Sequence, residues 1–592
     1  MEFCKSLKAK SHYKRIMKTA WMKAREDVFN SLEGTLKKLK LKVKTGDLDN
    51  SIEEPPSAKM GDLACSISFQ LGRQKKVSPR DIAEKILANT KKPSIAKKVG
   101  LAGAYVNFFL NRGAFAKEVI KETFEKDYSR AEKRKEKIMV EFSQANTHKA
   151  FHIGHLRGTL LGESLSRILE YNGYEVLRAN YQGDIGAHVA KCLWAYQTFH
   201  RGDTPNSNRG EWLGRIYAEA SKKLEESPEH KAEVEKLQKK LEEGKDSELM
   251  DLWKRTRQWS LDEYEEIYKD LGVKFNYYFF ESQMDKRGKD LVQELQKKKI
   301  AKKSAGAVVV ELKKYDLDTF LLLKSDGTTL YSTRDLALAE EKFKKYKIDR
   351  TIIVTGSEQR LYFQQLFKTL ELMGFKQVKK SFNLTFDLIT LQGEKMSSRE
   401  GLTITYRELK EKMFQKALAE VTSRNPELPL EGQKNTAMQI AIGAIKFSIL
   451  NISNTKTIFF DWDRALEFEG ETGPYIQYAA VRAKRILEKA ESIKLSEVKF
   501  NLLEQEEEHE LVKHLAKFPL IIQETATHYR VHTLANYAHK LAEKFNLFYN
   551  NLPVLNAPDK DLINARVAVV QATFNVLKNC LYLLGIEIPE RM

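Results

Sequence analysis

The hydrophobic positions along the chain change their periodicity near residue 137 and again near residue 405. In the first part, leucines recur at helical spacing among many lysines, and a strand-like apolar run comes later. The expected elements are a helix within 1–50, a loop at 51–60, a helix at 77–90 and a strand at 104–110. They predict an N-terminal α+β domain with a basic first helix over residues 1–120, followed by a charge-dense linker over 121–136.

The pattern after residue 137 is typical of a βαβ unit. The run IMVEF indicates a buried strand, and a polar loop separates it from the amphipathic helix GHLRGTLLGESLSRILEYNG. Another strand is expected over 174–180. A strand, a helix and a second strand in this order favour a parallel sheet, which predicts an open, doubly wound, Rossmann-like α/β domain over 137–404.

A charged helical insertion interrupts this domain at about 200–280. The sheet pattern is expected to resume in three apolar runs, with Asp326-Gly327 as a hairpin turn; the runs are 307–312, 319–331 and 350–356. From 405 to 592 the pattern is helical, which predicts a C-terminal all-α helix bundle.

Charge and cysteine content narrow the classes of function. Lysine and arginine total 100 against 81 acidic residues, a net charge of +19, which favours a polyanionic partner and nucleic acid first. The four cysteines lie far apart, so we expect neither a zinc site nor a disulfide framework, and a reducing, cytoplasmic location. The apolar run Met438–Leu450 is too short to span a bilayer, and no membrane association is expected.

The clearest chemical motif is His152-Ile153-Gly154-His155, between a buried strand and the start of a helix. A helix N-terminus offers free N–H groups to phosphate, and Gly154 lets a nucleotide approach the backbone. The two histidines can donate hydrogen bonds where negative charge grows in a transition state. A metal site built from His148, His152 and His155 is the alternative, but it has no carboxylate in register.

A second motif, Lys395-Met396-Ser397-Ser398-Arg399-Glu400-Gly401, follows a strand-like run. Its cations and hydroxyls could bind a triphosphate and neutralise departing pyrophosphate. Taken alone, it could equally be a solvated basic loop. Two such motifs, both at the ends of strands predicted for one sheet, indicate a nucleotide site more specifically than either motif alone.

The two motifs resemble the HIGH and KMSKS signatures of class I aminoacyl-tRNA synthetases. Further segments resemble the arginyl-tRNA synthetases in particular, from about residue 50 to the last residue. These segments are VEFSQANTHKAFHIGHLRGTLLGESLSRILEYNGYEV (140–176), NYQGDIG (180–186), LYSTRDLALA (330–339), GSEQRLYFQQLF (356–367), MSSREG (396–401), FDWDRALEFEGETGPYIQYAAVRAKRIL (460–487) and LLGIEIPERM (583–592).

The resemblance implies catalytic and nucleotide-binding roles for both signatures. The catalytic residues would be His152, His155, Lys149, Lys395 and Arg399, and the ATP-binding residues Gly154, His155, Met396, Ser397 and Ser398. The second signature departs from the class pattern, because Ser398 stands where a lysine is usual. Lys149 would supply part of the missing charge, although it could be an ordinary loop residue.

The resemblance also implies an arginine site made of Glu141, Ser143, Asn146, Tyr331, Asp335 and Gln359. A guanidinium has five N–H donors and needs acceptors, so a pocket with two acids suits it. Glu141 and Asp335 would hold the guanidinium, and Tyr331 would pack on the side chain. Glu141 could instead pair with a neighbouring lysine, and Asp335 with Arg334.

The partners implied are ATP with Mg²⁺, L-arginine and tRNA(Arg), and the chain is expected to be a monomer. The candidate tRNA contacts are Asn107, Phe109, Tyr475, Tyr478, Arg482 and Met592. Aromatic and basic residues suit unstacked bases and the RNA backbone, although aromatics at helical spacing are core residues in most proteins. Rival interpretations are a tRNA-binding protein without catalysis, a nucleotidyltransferase, and a different class I synthetase.

Overall fold

The computed structural model describes residues 19–391 and 404–592, and the chain divides into two compact units. The first contains the residues up to 131, 478–523 and 537–580, and the second contains 132–477, 524–536 and 581–592. The chain therefore passes between the units several times. This grouping differs from the domains 1–120, 121–136, 137–404 and 405–592 expected from the sequence, whose boundaries stay predictions.

The N-terminal part of the first unit is α+β, as the hydrophobic pattern predicts. Its helices are α1 (Ala20–Lys38), α2 (Thr45–Asn50), α3 (Ile67–Lys75), α4 (Pro79–Asn89) and α5 (Arg112–Thr123). Its strands are β1 (Ile52–Glu53), β2 (Leu63–Cys65), β3 (Ala96–Ala102) and β4 (Tyr105–Leu110). The strands pair antiparallel in the order β1-β2-β4-β3. Helix α1 buries Val28, Leu32 and Leu36 at spacings of four, which is why this lysine-rich segment is helical.

Ten further strands are described after residue 136. They are β5 (Lys137–Glu141), β6 (Glu175–Gln182), β7 (Tyr277–Phe280), β8 (Ala301–Ser304), β9 (Ala307–Val310), β10 (Phe320–Leu323), β11 (Arg350–Gly356), β12 (Ser381–Phe386), β13 (Ile389–Leu391) and β14 (Ile458–Phe460). Five of them form a parallel sheet in the order β12-β11-β5-β6-β7. This sheet confirms the doubly wound α/β class.

The helices after residue 136 cover the sheet, build the insertion and make up most of the C-terminal region. They are α6 (Ile153–Tyr171), α7 (Ala187–Phe199), α8 (Arg209–Glu226), α9 (Pro228–Glu243), α10 (Ser247–Asp270), α11 (Glu281–Lys297), α12 (Tyr331–Tyr346), α13 (Arg360–Leu372), α14 (Tyr406–Arg424), α15 (Leu430–Leu450), α16 (Trp462–Ala465), α17 (Gly473–Lys489), α18 (Glu506–Leu515), α19 (Phe518–His528), α20 (Val531–Asn551) and α21 (Lys560–Leu584). Helices α8, α9 and α10 are the predicted charged insertion, and they share an apolar core with α7.

Two of the three runs expected to continue the parallel sheet do not join it. Strands β9 and β10 pair antiparallel with each other, and β8 pairs with β9. Two residues connect β8 to β9, and a connection that short can join only antiparallel strands. The third run is β11, which does join the sheet. The sheet also contains β7, which lies inside the range predicted for the insertion. A second difference is β14. This strand lies within 405–592, the region predicted to be all helix, and it pairs with β13.

One helix of the described residues, α21, is long and apolar enough to cross a membrane by length and composition. Of its most apolar window, 67% is buried inside the protein, as in the core helix of a soluble protein. This helix is not the apolar run Met438–Leu450 considered in the sequence analysis. That segment lies in α15, whose residues are also largely buried.

Gly162 lies where α6 crosses the end of β5, and a β-carbon there would overlap the Cβ and ring of Phe142. We predict that Gly162→Ala lowers the free energy of unfolding by about 1–3 kcal/mol, the usual cost of overpacking a core. Urea denaturation followed by tryptophan fluorescence measures it. Gly432→Ala, in a helix of the same unit with only an ordinary contact to Pro429, is the control and should be neutral or stabilising. Equal free energies of unfolding for Gly162→Ala and Gly432→Ala would contradict the prediction.

Candidate active site

Several residues of the candidate site mark the carboxyl ends of the parallel strands. Glu141 ends β5, Gly183 follows β6, Glu281 follows β7 and Gly356 ends β11. Because the strands are parallel, these residues lie along one edge of the sheet. That edge is where open α/β sheets bind their ligands.

The loop between β5 and α6 has an unusual backbone. Ser143, Gln144 and His148 all have positive φ angles, of 77°, 52° and 63°, a conformation that costs non-glycine residues about 1–3 kcal/mol each. Buried hydrogen bonds hold it. The Ser143 hydroxyl lies 2.9 Å from the hydroxyl of Tyr268, and it accepts a hydrogen bond from Thr159 at 2.9 Å.

The ring of His148 is fully buried in the same loop. Its Nδ1 lies 3.0 Å from Oγ1 of Thr147 and its Nε2 lies 2.9 Å from Oγ1 of Thr256. Both ring nitrogens therefore have hydroxyl partners, which leaves neither for a metal ion. This arrangement argues against the metal site of His148, His152 and His155. Among residues 19–391 and 404–592, no group of three or more metal-ligating side chains is found.

The two signature histidines form the start of α6. His152 is the N-cap, and its Nδ1 accepts from the Gly154 amide at 3.1 Å. Nδ1 of His155 accepts from the His152 amide at 3.3 Å, and the ring centroids are 3.9 Å apart. A neutral imidazole whose Nδ1 accepts carries its proton on Nε2. The hydrogen-bond pattern thus assigns both rings an Nε2–H donor, and within residues 19–391 and 404–592 neither donor has a hydrogen-bond partner.

Burial keeps both rings neutral. It lowers the pKa of His152 to about 4 and the pKa of His155 well below its ordinary value. The positive charge of nearby Lys149 lowers both pKa values further. At neutral pH the pair therefore offers N–H dipoles, and the cationic charge comes from Lys149.

Lys149 is held by the insertion. Its ammonium lies 4.8 Å from the ring centre of Tyr217, a residue of α8, and its carbonyl accepts from the hydroxyl of Tyr264 at 2.8 Å. A cation over an aromatic face is attracted by the ring quadrupole. Lys149 thus lies close enough for its charge to act on both histidines, and its role in catalysis stays a prediction.

The second signature lies outside the described residues, so Lys395, Met396, Ser397, Ser398 and Arg399 have no described position. Its flanks are described. On the carboxyl side, Ile153 N donates to Ile404 O at 3.2 Å and Tyr406 N donates to Phe151 O at 2.9 Å. The segment after the second signature is therefore bonded directly to the first signature.

Arg157, two residues beyond His155 in α6, holds the flank on the amino side. Its side chain is 2% exposed, and it donates to four main-chain carbonyls. Nη1 reaches Asp387 O at 2.6 Å and Leu388 O at 3.1 Å, and Nη2 reaches Ser453 O at 3.0 Å and Lys456 O at 2.9 Å. The sequence interpretation missed this residue, because main-chain carbonyls leave no signal in a sequence.

The predicted arginine site centres on Asp335, on the first turns of α12. Its Oδ2 accepts from the Tyr362 hydroxyl at 2.5 Å. Burial raises the pKa of Asp335 to about 6, and the negative charge of Glu141 adds to the effect of burial. Within the described part of the chain, Asp335 forms no ion pair within 4 Å, and the alternative pairing with Arg334 does not occur. Arg334 bonds instead to Glu281, at 2.8 Å.

Glu141 already has a cation. Lys342, from α12, forms an ion pair with its Oε2, and both side chains are about 3% exposed. Gln144 donates to its Oε1 at 2.9 Å. This is the neighbouring-lysine alternative that the sequence left open. Glu141 therefore lies beside Asp335 but enters the site as half of a lysine–carboxylate pair.

The remaining predicted residues surround these acids. The Asn146 amide lies beside Gly183, where any β-carbon would overlap its Oδ1. Tyr331 is 51% exposed at the start of α12, and burial of its hydroxyl near Glu281 raises its pKa to about 12. Gln359 is exposed just after β11. Glu281, which the sequence interpretation missed, adds a third buried carboxylate.

The candidate tRNA contacts fall in different surroundings. In the first unit, the Arg482 guanidinium lies 4.5 Å from the ring centre of Tyr478 and 4.8 Å from that of Tyr549, which is 40% exposed. Asn107 is buried and donates to Met60 O, so its side chain supports a loop and does not face solvent. Phe109 is half-buried with Lys98 5.5 Å from its ring centre.

Two more candidates belong to the second unit. Tyr475 and Met592 are both half-buried. The tail that ends at Met592 is anchored by Gln477, which donates to Glu587 O at 2.8 Å. Roles in RNA binding for these two residues stay predictions.

Comparison with known proteins agrees with this arrangement along the whole chain. Three family models match: the N-terminal domain of arginyl-tRNA synthetases at 26–110, the catalytic domain of class I (R) tRNA synthetases at 119–462, and the DALR anticodon-binding domain at 476–592. The chain belongs to the arginyl-tRNA synthetase family. The catalytic match extends past residue 404, to include α14, α15 and β14.

Named relatives of the arginyl-tRNA synthetase family cover nearly the full length. The arginine–tRNA ligase of Clostridium perfringens is 37% identical, with 92% of this chain and 96% of the relative covered. The arginine–tRNA ligase of Treponema denticola is 35% identical, with 97% of this chain and 100% of the relative covered. The solved arginyl-tRNA synthetase of Thermus thermophilus has a TM-score of 0.76 at 27% identity and covers 96% of this chain and 100% of its own. Its Plasmodium falciparum counterpart, at 20% identity, has a TM-score of 0.74 and shares the fold.

Arg157→Lys should loosen the flanks of the second signature, because a single ammonium cannot donate to four carbonyls at once. We predict that the backbone amides of 387–391 and 453–458 exchange hydrogen for deuterium at least about tenfold faster. Deuterium is exchanged into the full-length protein, and mass spectrometry of its peptides measures the exchange rate of each segment. Arg167→Lys, on the same helix but bonded to Tyr582 O and Gly272 O, is the control. Unchanged exchange at 387–391 would show that Arg157 does not hold this segment.

Proposed function

We propose that this chain is an arginine–tRNA ligase, which activates L-arginine with ATP and transfers it to the terminal adenosine of tRNA(Arg). The observation that carries the proposal is the half-buried Asp335, whose carboxylate is held by the Tyr362 hydroxyl. A carboxylate without an ion-pair partner is costly inside a protein, and here it lies at the ligand-binding edge of the sheet, among tyrosines. A guanidinium supplies both the charge and the N–H donors that Asp335 lacks.

Each end of the arginine substrate would meet a different group. Asp335 would accept from the guanidinium, with the Glu141–Lys342 pair beside it, and Tyr331 would pack on the aliphatic stem. Asn146 and Gln359 would orient the α-amino and carboxylate ends, and Ser143 would support the loop that carries Asn146. The fixed position of Asn146 against Gly183 supports this assignment.

In the first step an oxygen of the arginine carboxylate attacks the α-phosphorus of ATP, and the bond to the pyrophosphate oxygen breaks. The nucleophile is already an anion, so no general base is needed. Catalysis then consists of positioning and stabilisation of charge on phosphate oxygens. The Nε2–H groups of His152 and His155 would donate to those oxygens, Gly154 would admit the nucleotide, and Lys149 would supply a cation.

Lys395, Met396, Ser397, Ser398 and Arg399 would bind the triphosphate, with Mg²⁺ entering as part of the ATP substrate. The support for this role is the attachment of both flanks of the second signature to the helix of the first. Neutral histidines alone could not balance the charge of departing pyrophosphate. Lysine and arginine side chains from a second segment would supply the missing cations.

In the second step a ribose hydroxyl of the terminal adenosine attacks the activated carbonyl and releases AMP. The cluster of half-buried Tyr478 and Arg482 with exposed Tyr549 suits unstacked anticodon bases. Tyr475 and Met592 would contribute near the anticodon. Phe109, together with the loop at Met60 that the buried Asn107 supports, would contact the outer corner of the tRNA. We further propose that the enzyme acts as a monomer in the cytoplasm.

Amino-acid-dependent charging tests the function. With ATP, Mg²⁺ and unfractionated tRNA, the full chain should attach radiolabelled arginine and none of the other nineteen standard amino acids. Charging of a different amino acid would overturn the substrate assignment. Tight tRNA binding without ATP-dependent charging would favour the non-catalytic alternative.

Asp335→Asn should weaken arginine binding selectively. Asparagine keeps the shape and the acceptor for Tyr362 but loses the charge, and a hydrogen bond to a charged group is worth about 1.5–3 kcal/mol. We predict a roughly 10- to 100-fold higher KM for arginine and a KM for ATP within about twofold, measured in the charging reaction. Tyr362→Phe, which removes only the hydroxyl, is the companion variant and should have the smaller effect.

Asp335 also predicts that the KM for arginine depends on pH. The carboxylate form of Asp335 binds guanidinium, and its pKa of about 6 means that this form increases as the pH rises through 6. The KM for arginine should therefore be about tenfold higher at pH 5 than at pH 7. Asp335→Asn should remove this dependence. Equal pH profiles for the two proteins would contradict the assignment.

A further inference from the structure

The opposite edge of the parallel sheet carries a second cavity. It has a volume of about 690 Å³ and lies where β5, β11 and β12 begin, at Lys137, Arg350 and Ser381. The signature histidines and Asp335 lie at the carboxyl edge. A five-residue strand such as β5 separates the two edges by roughly 17 Å, so this cavity is distinct from the candidate active site.

The charges that line this cavity are not balanced. Lys135, Lys379 and Lys380 line it together with Arg350, against only Glu136 and Asp349. Glu136 pairs with Arg350 at 2.6 Å, and Asp349 accepts from the Lys137 amide at 2.9 Å. Within the described residues, the three lysines form no ion pair within 4 Å. Their charge is therefore available to an anion.

Two aromatic rings stand beside these lysines. Phe382 is 44% exposed, an unusual exposure for a large apolar ring, and its centroid lies 5.2 Å from that of Tyr529. The Tyr529 hydroxyl accepts from Arg350 at 2.9 Å, which fixes the ring in place. An exposed aromatic ring beside several unpaired lysines is the combination that binds a base together with its phosphates.

We propose that this cavity is a second nucleotide-binding site, in which the lysines bind phosphate and Phe382 stacks on a base. Its volume is within the range of small-molecule sites. The ligand is a nucleoside phosphate, supplied either as a free nucleotide or as part of an RNA chain. The site goes beyond the charging reaction, since none of its residues has a role in arginine activation.

Binding to the full chain tests the proposal. The active site is first saturated with a non-hydrolysable arginyl-adenylate analogue. Three fluorescent probes are then titrated: a labelled nucleoside diphosphate, a labelled single-stranded RNA hexamer and a labelled tRNA(Arg) transcript. The test variant is the triple substitution Lys135→Gln, Lys379→Gln, Lys380→Gln.

A matched control removes the same charge elsewhere in the same unit. Lys286, Lys303 and Lys313 are exposed, and the described residues offer them no ion pair within 4 Å. Their triple change to Gln should leave binding within about twofold. The test triple should weaken at least one probe by tenfold or more, and the salt slope for the hexamer should fall by about two units. Phe382→Ala should weaken the same probe without changing its salt slope.

The three probes identify the source of the ligand. Equal affinity for the diphosphate and the hexamer indicates a free nucleotide, and binding of the hexamer alone indicates an RNA chain. A loss confined to the transcript indicates a segment of the bound tRNA. No binding of any probe beyond the active site, or equal losses in both triple variants, would overturn the proposal. The rate of charging at saturating tRNA should be the same in all variants, so this test can fail while the ligase function stands.

Discussion

The four hydrogen bonds from Arg157 to main-chain carbonyls are the interaction on which the site depends. One guanidinium, two residues after His155, holds the segments around Asp387 and Ser453, which the chain supplies more than 200 residues later. Burial lowers the pKa of Arg157 to about 10, although the negative charge of Asp387 opposes the shift, so it remains a cation at neutral pH. Its geometry brings the two signatures, far apart in sequence, to the same edge of the sheet.

Two kinds of polar group lie along this edge of the sheet. The histidines are neutral and present N–H donors, because burial disfavours their charged form. Of the three acids near α12, Glu141 and Glu281 are already paired with Lys342 and Arg334. Among the described residues, Asp335 is the one of the three that has no ion-pair partner within 4 Å and is left for an incoming cation. A phosphate region and a guanidinium region can therefore lie side by side without neutralising each other.

Much of this could be predicted from the sequence, for identifiable reasons. The βαβ unit and the histidine motif are local patterns, so strand β5, helix α6 and the N-cap position of His152 follow from periodicity and residue type. Strands β9 and β10 were misassigned because apolar runs do not reveal their partners. The identity of the lysine that pairs with Glu141, Lys342, and the role of Arg157 could not be predicted, since each depends on a contact across about 200 residues or more.

The contact between the Lys149 ammonium and the Tyr217 ring links the charged insertion to the first signature. By composition that insertion is a solvent-exposed appendage, yet one of its rings contacts a cation that lies beside the signature histidines. Trimming α8 to shorten the protein would remove the aromatic partner of Lys149. Evolutionary drift or engineering in this region is thus constrained at the tyrosines that contact the loop before α6, Tyr217, Tyr264 and Tyr268.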